Sequence, residues 1–179
     1  MRTIERTIRV EILDRTELSL DELELIRRAN VVRRNAQAPI SHYQVGAAVL
    51  SESGIIYIGC NVENANFTST THAEQNAISS MIAHEGPVKV LEMAIVGAPK
   101  GQEIQQPPTT AASWRTYEVK DFCFACGHCL GITWENSMVD PNVKLLRMDM
   151  EGVIARTTIG DAFPMPFGPE SLGIDVRKG

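Results

Sequence analysis

No apolar run in the chain approaches the roughly 20 residues that a membrane-spanning helix requires, which excludes a helical membrane protein. Basic runs are missing too, beyond the doublets Arg27-Arg28 and Arg33-Arg34. The formal net charge of −5 opposes a polyanionic partner, so no nucleic acid is expected. Both doublets fall on an expected helix and read as its solvated face. The segment Met1 to Arg6 lacks the apolar stretch of an export signal, so a cytoplasmic location is expected. The chain has only four cysteines. In a reducing compartment they read as thiols or metal ligands and not as a disulfide framework. Internal repeats and low-complexity tracts are also lacking. A chain of 179 residues, 44% hydrophobic and 22% charged, fits one globular domain with a sizeable core.

Residues 1–16 have weak periodicity and read as a short strand or an arm. Ser19 followed by Glu22 has the form of a capping box. Leu23, Ile26, Ala29, Val32 and Ala36 continue at helical spacing, which predicts a helix over 20–36 that ends before Pro39. Two runs, 45–50 and 55–59, flank the turn 51–54 and predict a β-hairpin. After a polar loop over 61–70, Ala73, Ala77, Ile78, Met81 and Ile82 mark a second helix, stopped at Gly86-Pro87. Residues 91–96 read as a third strand. A Pro- and Gly-containing connection over 97–121 is long enough to be a lid or binding loop. After Cys129, Leu130 to about Met138 should continue as a third helix. Strands are expected over 143–150 and 153–159, and the three prolines in 163–169 exclude regular structure there. Helices that separate strands must cover a sheet, so the pattern predicts a layered α/β domain.

The chemistry-bearing residues are His72, Glu74, Cys126 and Cys129. A His and a Cys-x-x-Cys on helix starts can place three ligands on one zinc ion and leave a fourth position open for water. Helix N-termini favour thiolate over thiol. Glu74, two residues after His72, can face the open position as general base and then acid. A lone His-x-Glu is weak evidence, because most such pairs lie on the surface; the combination is far more specific. Spacing alone does not choose between Cys123/Cys126 and Cys126/Cys129. Cys60 and Cys123 also read as buried small residues, and His128 as an exposed neighbour of the site. The set resembles the H-x-E…P-C-x-x-C pattern of zinc deaminases, with Ala125 in place of the proline.

Further segments make the resemblance more specific. Ser41-His42-Tyr43-Gln44-Val45-Gly46-Ala47-Ala48, Gly59-Cys60-Asn61-Val62-Glu63-Asn64-Ala65, Thr71-His72-Ala73-Glu74, Cys126-Gly127-His128-Cys129 with Trp134-Glu135, and the stretch from Phe163 to Leu172 resemble, in order, the segments of the cytidine deaminase family. The likeness covers nearly the whole chain. It implies a three-layer α-β-α sandwich with a mixed five-stranded sheet, in a single domain over 1–179 with 97–121 inserted. It implies zinc held by His72, Cys126 and Cys129, with Glu74 catalytic. Asn61 and Glu63 would bind a ribose hydroxyl, Tyr43 would pack on the pyrimidine ring, and the Ala73 backbone would contact the base. The implied reaction deaminates cytidine, deoxycytidine or a modified cytosine nucleoside. The implied assembly is a homodimer or homotetramer, with Phe163 or Phe167 reaching a neighbour's site.

Many family members have Cys as first ligand and Arg-Gln after the last Cys. Here those positions are His72 and Leu130-Gly131. The two changes agree in charge: three thiolates on Zn²⁺ sum to −1, whereas one neutral His and two thiolates sum to zero. The long connection puts the substrate in question more than the reaction. A deaminase of another aminated ring is therefore the alternative. A nucleic-acid-editing deaminase and a non-catalytic zinc scaffold are further readings, the first opposed by the acidic balance and the second by Glu74.

Overall fold

In a computed structural model the described residues are 1–104 and 124–176. The 97–121 connection beyond residue 104, and Cys123, lie outside them.

The expected helix 20–36 is α1 (Leu20–Val32), continued by a 3-10 turn over Arg33–Asn35. Its capping box is formed: the Glu22 backbone N–H donates to Ser19 Oγ at 3.1 Å, and the Ser19 N–H donates to Glu22 Oε2 at 2.8 Å. The hairpin is β2 (Tyr43–Ser51) and β3 (Ile56–Cys60), turned at Gly54 with φ of 83°. Then follow α2 (Ala73–Glu85), β4 (Val90–Pro99) and α3 (Gly127–Asn136). Strands β5 (Lys144–Met148) and β6 (Ile154–Thr158) meet across Gly152, and a short α4 (Ile159–Ala162) ends the second expected strand one residue early.

The sheet has six strands where five were expected. The additional one is β1 (Glu11–Leu13), which pairs antiparallel with β6 at the sheet edge. Three residues are too few to display a period in sequence; tertiary pairing makes the strand. The order is β1-β6-β5-β4-β2-β3, with β4 and β5 parallel and the other pairs antiparallel. The sheet is mixed, as expected.

Strand alternation divides the core. Ala47, Val49, Met93, Ile95 and Leu145 pack under α2 and α3, whereas Ala48, Ala94, Val96 and Leu146 pack under α1. Helices thus cover both faces, the three-layer α-β-α arrangement. Backbones approach closely at Gly46, where a Cβ would stand 2.0 Å from the Ala29 carbonyl oxygen of α1.

Two surface expectations are corrected. Arg33 is 1% exposed and not on a solvated face. The 3-10 turn swings it inward, where its guanidinium donates to Asn30 Oδ1 and the Gln102 carbonyl. Ile82, expected on the buried face of α2, is exposed. In the C-terminal stretch Phe163 packs on the core while Phe167 is exposed. Trp134 Nε1 donates to Glu170 at 2.9 Å and pins the 3-10 turn over Pro169–Leu172. Among the described residues no helix is long and apolar enough to cross a membrane.

Candidate metal centre and cavity

His72 and Cys126 are the N-cap residues of α2 and α3, and neither side chain caps its helix. Both turn instead toward the gap between the two helix starts. Cys129, three residues after Cys126 in the first turn of α3, is fully buried. His72 Nδ1 lies 3.4 Å from the sulfur of Cys126 and 3.4 Å from that of Cys129. Tetrahedral zinc with Zn–N of about 2.0 Å and Zn–S of about 2.3 Å sets ligand N and S roughly 3.5 Å apart. His72 Nδ1 therefore stands from each sulfur at the separation that one ion would impose, and all three ligand atoms lie within 4.8 Å of one another. Among the described residues no other group of three ligating side chains converges in this way.

The electrostatics also fit a divalent cation. Burial, reinforced by Glu74 and Cys126, pushes the Cys129 thiol far above its ordinary value. Such a sulfur is a thiolate only with strong positive charge against it, which Zn²⁺ supplies and the two helix N-termini assist. His128 stands beside the site, exposed, its ring edge-on to His72 at 6.0 Å.

Glu74 is 6% exposed. Burial raises its pKa, against the lowering effects of its own backbone N–H and of His72. Its side chain also hydrogen-bonds Cys129, so the carboxylate stands beside the ligand cluster.

A cavity of about 340 Å³ opens from this cluster. Its walls include every residue expected at the site except Cys129: Tyr43, Asn61, Glu63, His72, Ala73, Glu74 and Cys126. Tyr43 opens β2, and its ring lies against Gly97 of β4, where a Cβ would come within 2.8 Å of it. Asn61, just past β3, ties β2 to itself: its Oδ1 accepts from the Val45 N–H at 2.8 Å and its Nδ2 donates to the Tyr43 carbonyl at 3.0 Å. Glu63 Oε2 accepts from the backbone N–H groups of Ile40 (2.9 Å) and Ser41 (3.1 Å). The Ser41 hydroxyl and these N–H groups hold the carboxylate below its ordinary range. Asn61 and Glu63 thus anchor the loop and strand that frame the cavity, with their remaining polar capacity at its rim. Cys60 is partly buried, and burial pushes its thiol up.

Arg147 of β5, Phe124 and Thr70 also line the cavity and were not singled out from sequence. For Arg147 a signal existed: strand alternation puts it on the same face as buried Leu145.

A three-layer α/β protein with a His-Cys-Cys cluster on two helix starts, and a buried carboxylate beside it, has the architecture of a metal-dependent hydrolase. More specifically, the chain belongs to the cytidine and deoxycytidylate deaminases, whose zinc-binding-region model matches residues 20–140. Zinc is accordingly the metal that this donor set takes. Similar proteins include a cytidine deaminase of Sporosarcina psychrophila, 28% identical over 159 residues that span 89% of this chain and 100% of the relative. Another is the cytidine deaminase of Halalkalibacterium halodurans, 29% identical over 86% of this chain and 98% of the relative. The crystal structure of cytidine deaminase from Burkholderia pseudomallei superposes with a TM-score of 0.61 at 28% identity, covering 81% of this chain and 98% of that one.

Proposed function

We propose that the protein catalyses zinc-dependent hydrolytic deamination of cytidine, deoxycytidine or a modified cytosine nucleoside, giving the uracil nucleoside and ammonia. The observation that carries this reading is the buried Glu74 beside the His72, Cys126 and Cys129 cluster, in one cavity with Asn61 and Glu63 at the rim. Bound zinc would supply Lewis acidity that brings the pKa of water to roughly 7. Glu74 takes a proton from the attacking water and delivers it to N3 of the ring as oxygen adds to C4. It then carries the second proton to the amino group, which leaves as ammonia. Burial suits Glu74 to this work, because a raised carboxyl pKa brings acid and base forms closer to neutral pH. Asn61 and Glu63 bind the ribose hydroxyl by donating to and accepting from it. Tyr43 packs on the pyrimidine, and the first-turn N–H of Ala73, which has no intrahelical acceptor, faces the base.

Activity and metal content test the reading together. Purified protein should carry about one zinc per chain and convert cytidine to uridine. Glu74→Gln should keep the zinc and lose at least about 10²-fold in kcat, the lower end of what a positioned general acid–base provides. Zinc-loaded protein that leaves a panel of cytosine nucleosides untouched sinks the substrate assignment. Full activity in Glu74→Gln sinks the mechanism. The second reading, deamination of another aminated ring, is favoured by Leu130-Gly131 after the last ligand. Comparison of the nucleoside with its free base separates the two.

The same reading includes a cytoplasmic location, where the ligand thiols stay reduced, and assembly as a homodimer or homotetramer. Phe167, exposed as it is, is the better candidate than Phe163 for reaching a neighbour's cavity.

A further inference from the structure

Gly97 lies within β4, where glycine weakens a strand and a branched side chain would serve it better. Its backbone does not call for glycine, because it lacks the positive φ of Gly54 and Gly152. The reason lies in the space over its Cα. An added Cβ would stand 2.8 Å from Tyr43 Cε1, 3.2 Å from the Tyr43 hydroxyl oxygen and 3.4 Å from Tyr43 Cζ. At Gly46 and Gly59 the nearest atom in the way is backbone, whereas at Gly97 all three nearest atoms belong to the tip of one side chain.

Strand register explains the contact. Val45 pairs with Gly97 and Tyr43 with Pro99, so Tyr43 and Gly97 are diagonal neighbours on one face, within reach of an aromatic side chain. That face is the one under α2 and α3, where the next pair along it, Ala47 and Ile95, is buried. Tyr43 and Gly97 both line the cavity that opens from the metal cluster. The Tyr43 backbone is held independently: its N–H donates to Ser41 Oγ at 3.0 Å and its carbonyl accepts from Asn61 Nδ2 at 3.0 Å. The residue itself is exposed, so its ring has room to turn outward if its place against β4 is filled.

We propose that Gly97 is a positioning residue: by carrying no side chain it lets the Tyr43 ring lie back against β4 in the cavity wall, the place from which that ring packs on a bound pyrimidine. The inference rests on the nucleoside-deaminase reading and on the role of Tyr43 within it. A methyl group at residue 97 displaces the ring and not the sheet. It therefore weakens nucleoside binding while sparing the fold, the zinc and the proton transfers at Glu74.

The test uses zinc-loaded full-length protein. Calorimetric titration with uridine reads binding without turnover, deamination of cytidine gives KM and kcat, and thermal melting reads the fold. Gly97→Ala should weaken uridine binding and raise KM by roughly 3- to 10-fold, the span that an aromatic contact is worth, with kcat, zinc content and melting temperature held. Tyr43→Ala should lose about as much. In the Tyr43→Ala background Gly97→Ala should have no further effect, because the ring it displaces is gone. Additive losses in the double variant would mean that the methyl group meets the nucleoside directly, and overturn the proposal. So does a Gly97→Ala protein that binds and turns over like the wild type, or one that fails to fold or melts far lower, which makes the glycine a packing residue only. Unchanged binding and KM in Tyr43→Ala overturn the role of Tyr43 and this inference, and leave nucleoside deamination standing. Failure of the wild type to bind uridine and to deaminate any cytosine nucleoside overturns the nucleoside reading and the inference with it.

Discussion

The side-chain amide of Asn61 donates to the Tyr43 carbonyl at 3.0 Å, so the residue proposed to hold ribose also fixes the strand that carries Tyr43, the side chain proposed to pack on the ring. Its Oδ1 takes the Val45 N–H at the same time. One amide therefore joins the end of β3 to the start of β2 across the cavity mouth.

The two bonds predict separable effects. Asn61→Ala strips both and leaves the Val45 N–H without its acceptor. At about 1 kcal/mol per bond, with up to about 3 for an orphaned buried donor, the loss should be roughly 2–3 kcal/mol. For a chain of this length that lowers Tm by about 4–12 °C. KM for the nucleoside should rise, since Tyr43 loses its anchor. Asn61→Asp keeps the bond from Val45 but faces the Tyr43 carbonyl with a second acceptor, so it should fall between the two in melting temperature while still raising KM. A melting temperature unchanged in Asn61→Ala would refute the structural half of this account.

The sequence displayed the reactive residues because their chemistry has a fixed spacing. His72 and Cys126 sit at helix starts, and starts are signalled by the onset of apolar periodicity and by breaks before it. β1 was legible only as one of two readings of residues 1–16, a short strand or an arm, because Glu11 to Leu13 is too short to show alternation and its pairing with β6 decides between them. Arg33 was misread because a charged doublet at a helix end ordinarily faces water. Here the helix tightens to a 3-10 turn, and the Gln102 carbonyl accepts the buried guanidinium. Arg147 was overlooked for another reason: a cation in a strand suggests a solvent face, although Leu145 two residues earlier and Ile95 and Ala155 across the sheet are buried. For Arg33 a partner distant in sequence helps to bury the charge, and no local pattern records it.

Packing of α1 on the sheet gives a second prediction. A Cβ at residue 46 would stand 2.0 Å from the Ala29 carbonyl oxygen and 2.7 Å from the Arg33 backbone nitrogen. Both obstacles are backbone, so relief requires α1 to move as a unit. Gly46→Ala should cost at least about 3 kcal/mol, at the upper end of overpacking, and show as a lower denaturation midpoint with reduced soluble yield. Gly131, inside α3, is the control, because nothing lies within 4 Å of its added Cβ. Gly131→Ala should be neutral or stabilising by up to about 1 kcal/mol through helix propensity. Equal melting temperatures for the two variants would contradict the close approach.

The last prediction concerns acid. Glu22 is 1% exposed and accepts from the Ser19 N–H (2.8 Å), Arg156 Nη1 (2.9 Å) and Lys144 Nζ (3.3 Å). Burial alone would raise its pKa, but the Ser19 N–H, Arg156 and Lys144 outweigh burial and hold it below the ordinary 4.5. A carboxyl whose folded pKa is depressed binds protons more readily when unfolded. Its contribution is therefore complete above pH 4.5 and is lost as pH falls through and below that value. Glu22→Gln should cost about 2–4 kcal/mol at pH 7, near the low end for breaking a buried pair because Lys144 remains partly solvated. The gap between wild type and variant should shrink as melting is followed from pH 7 down to pH 3. A gap that stays constant over that range would show that packing, and not ionisation, accounts for the role of Glu22. If the gap closes, a single buried carboxylate joins the α1 cap to β5 and β6 through its charge.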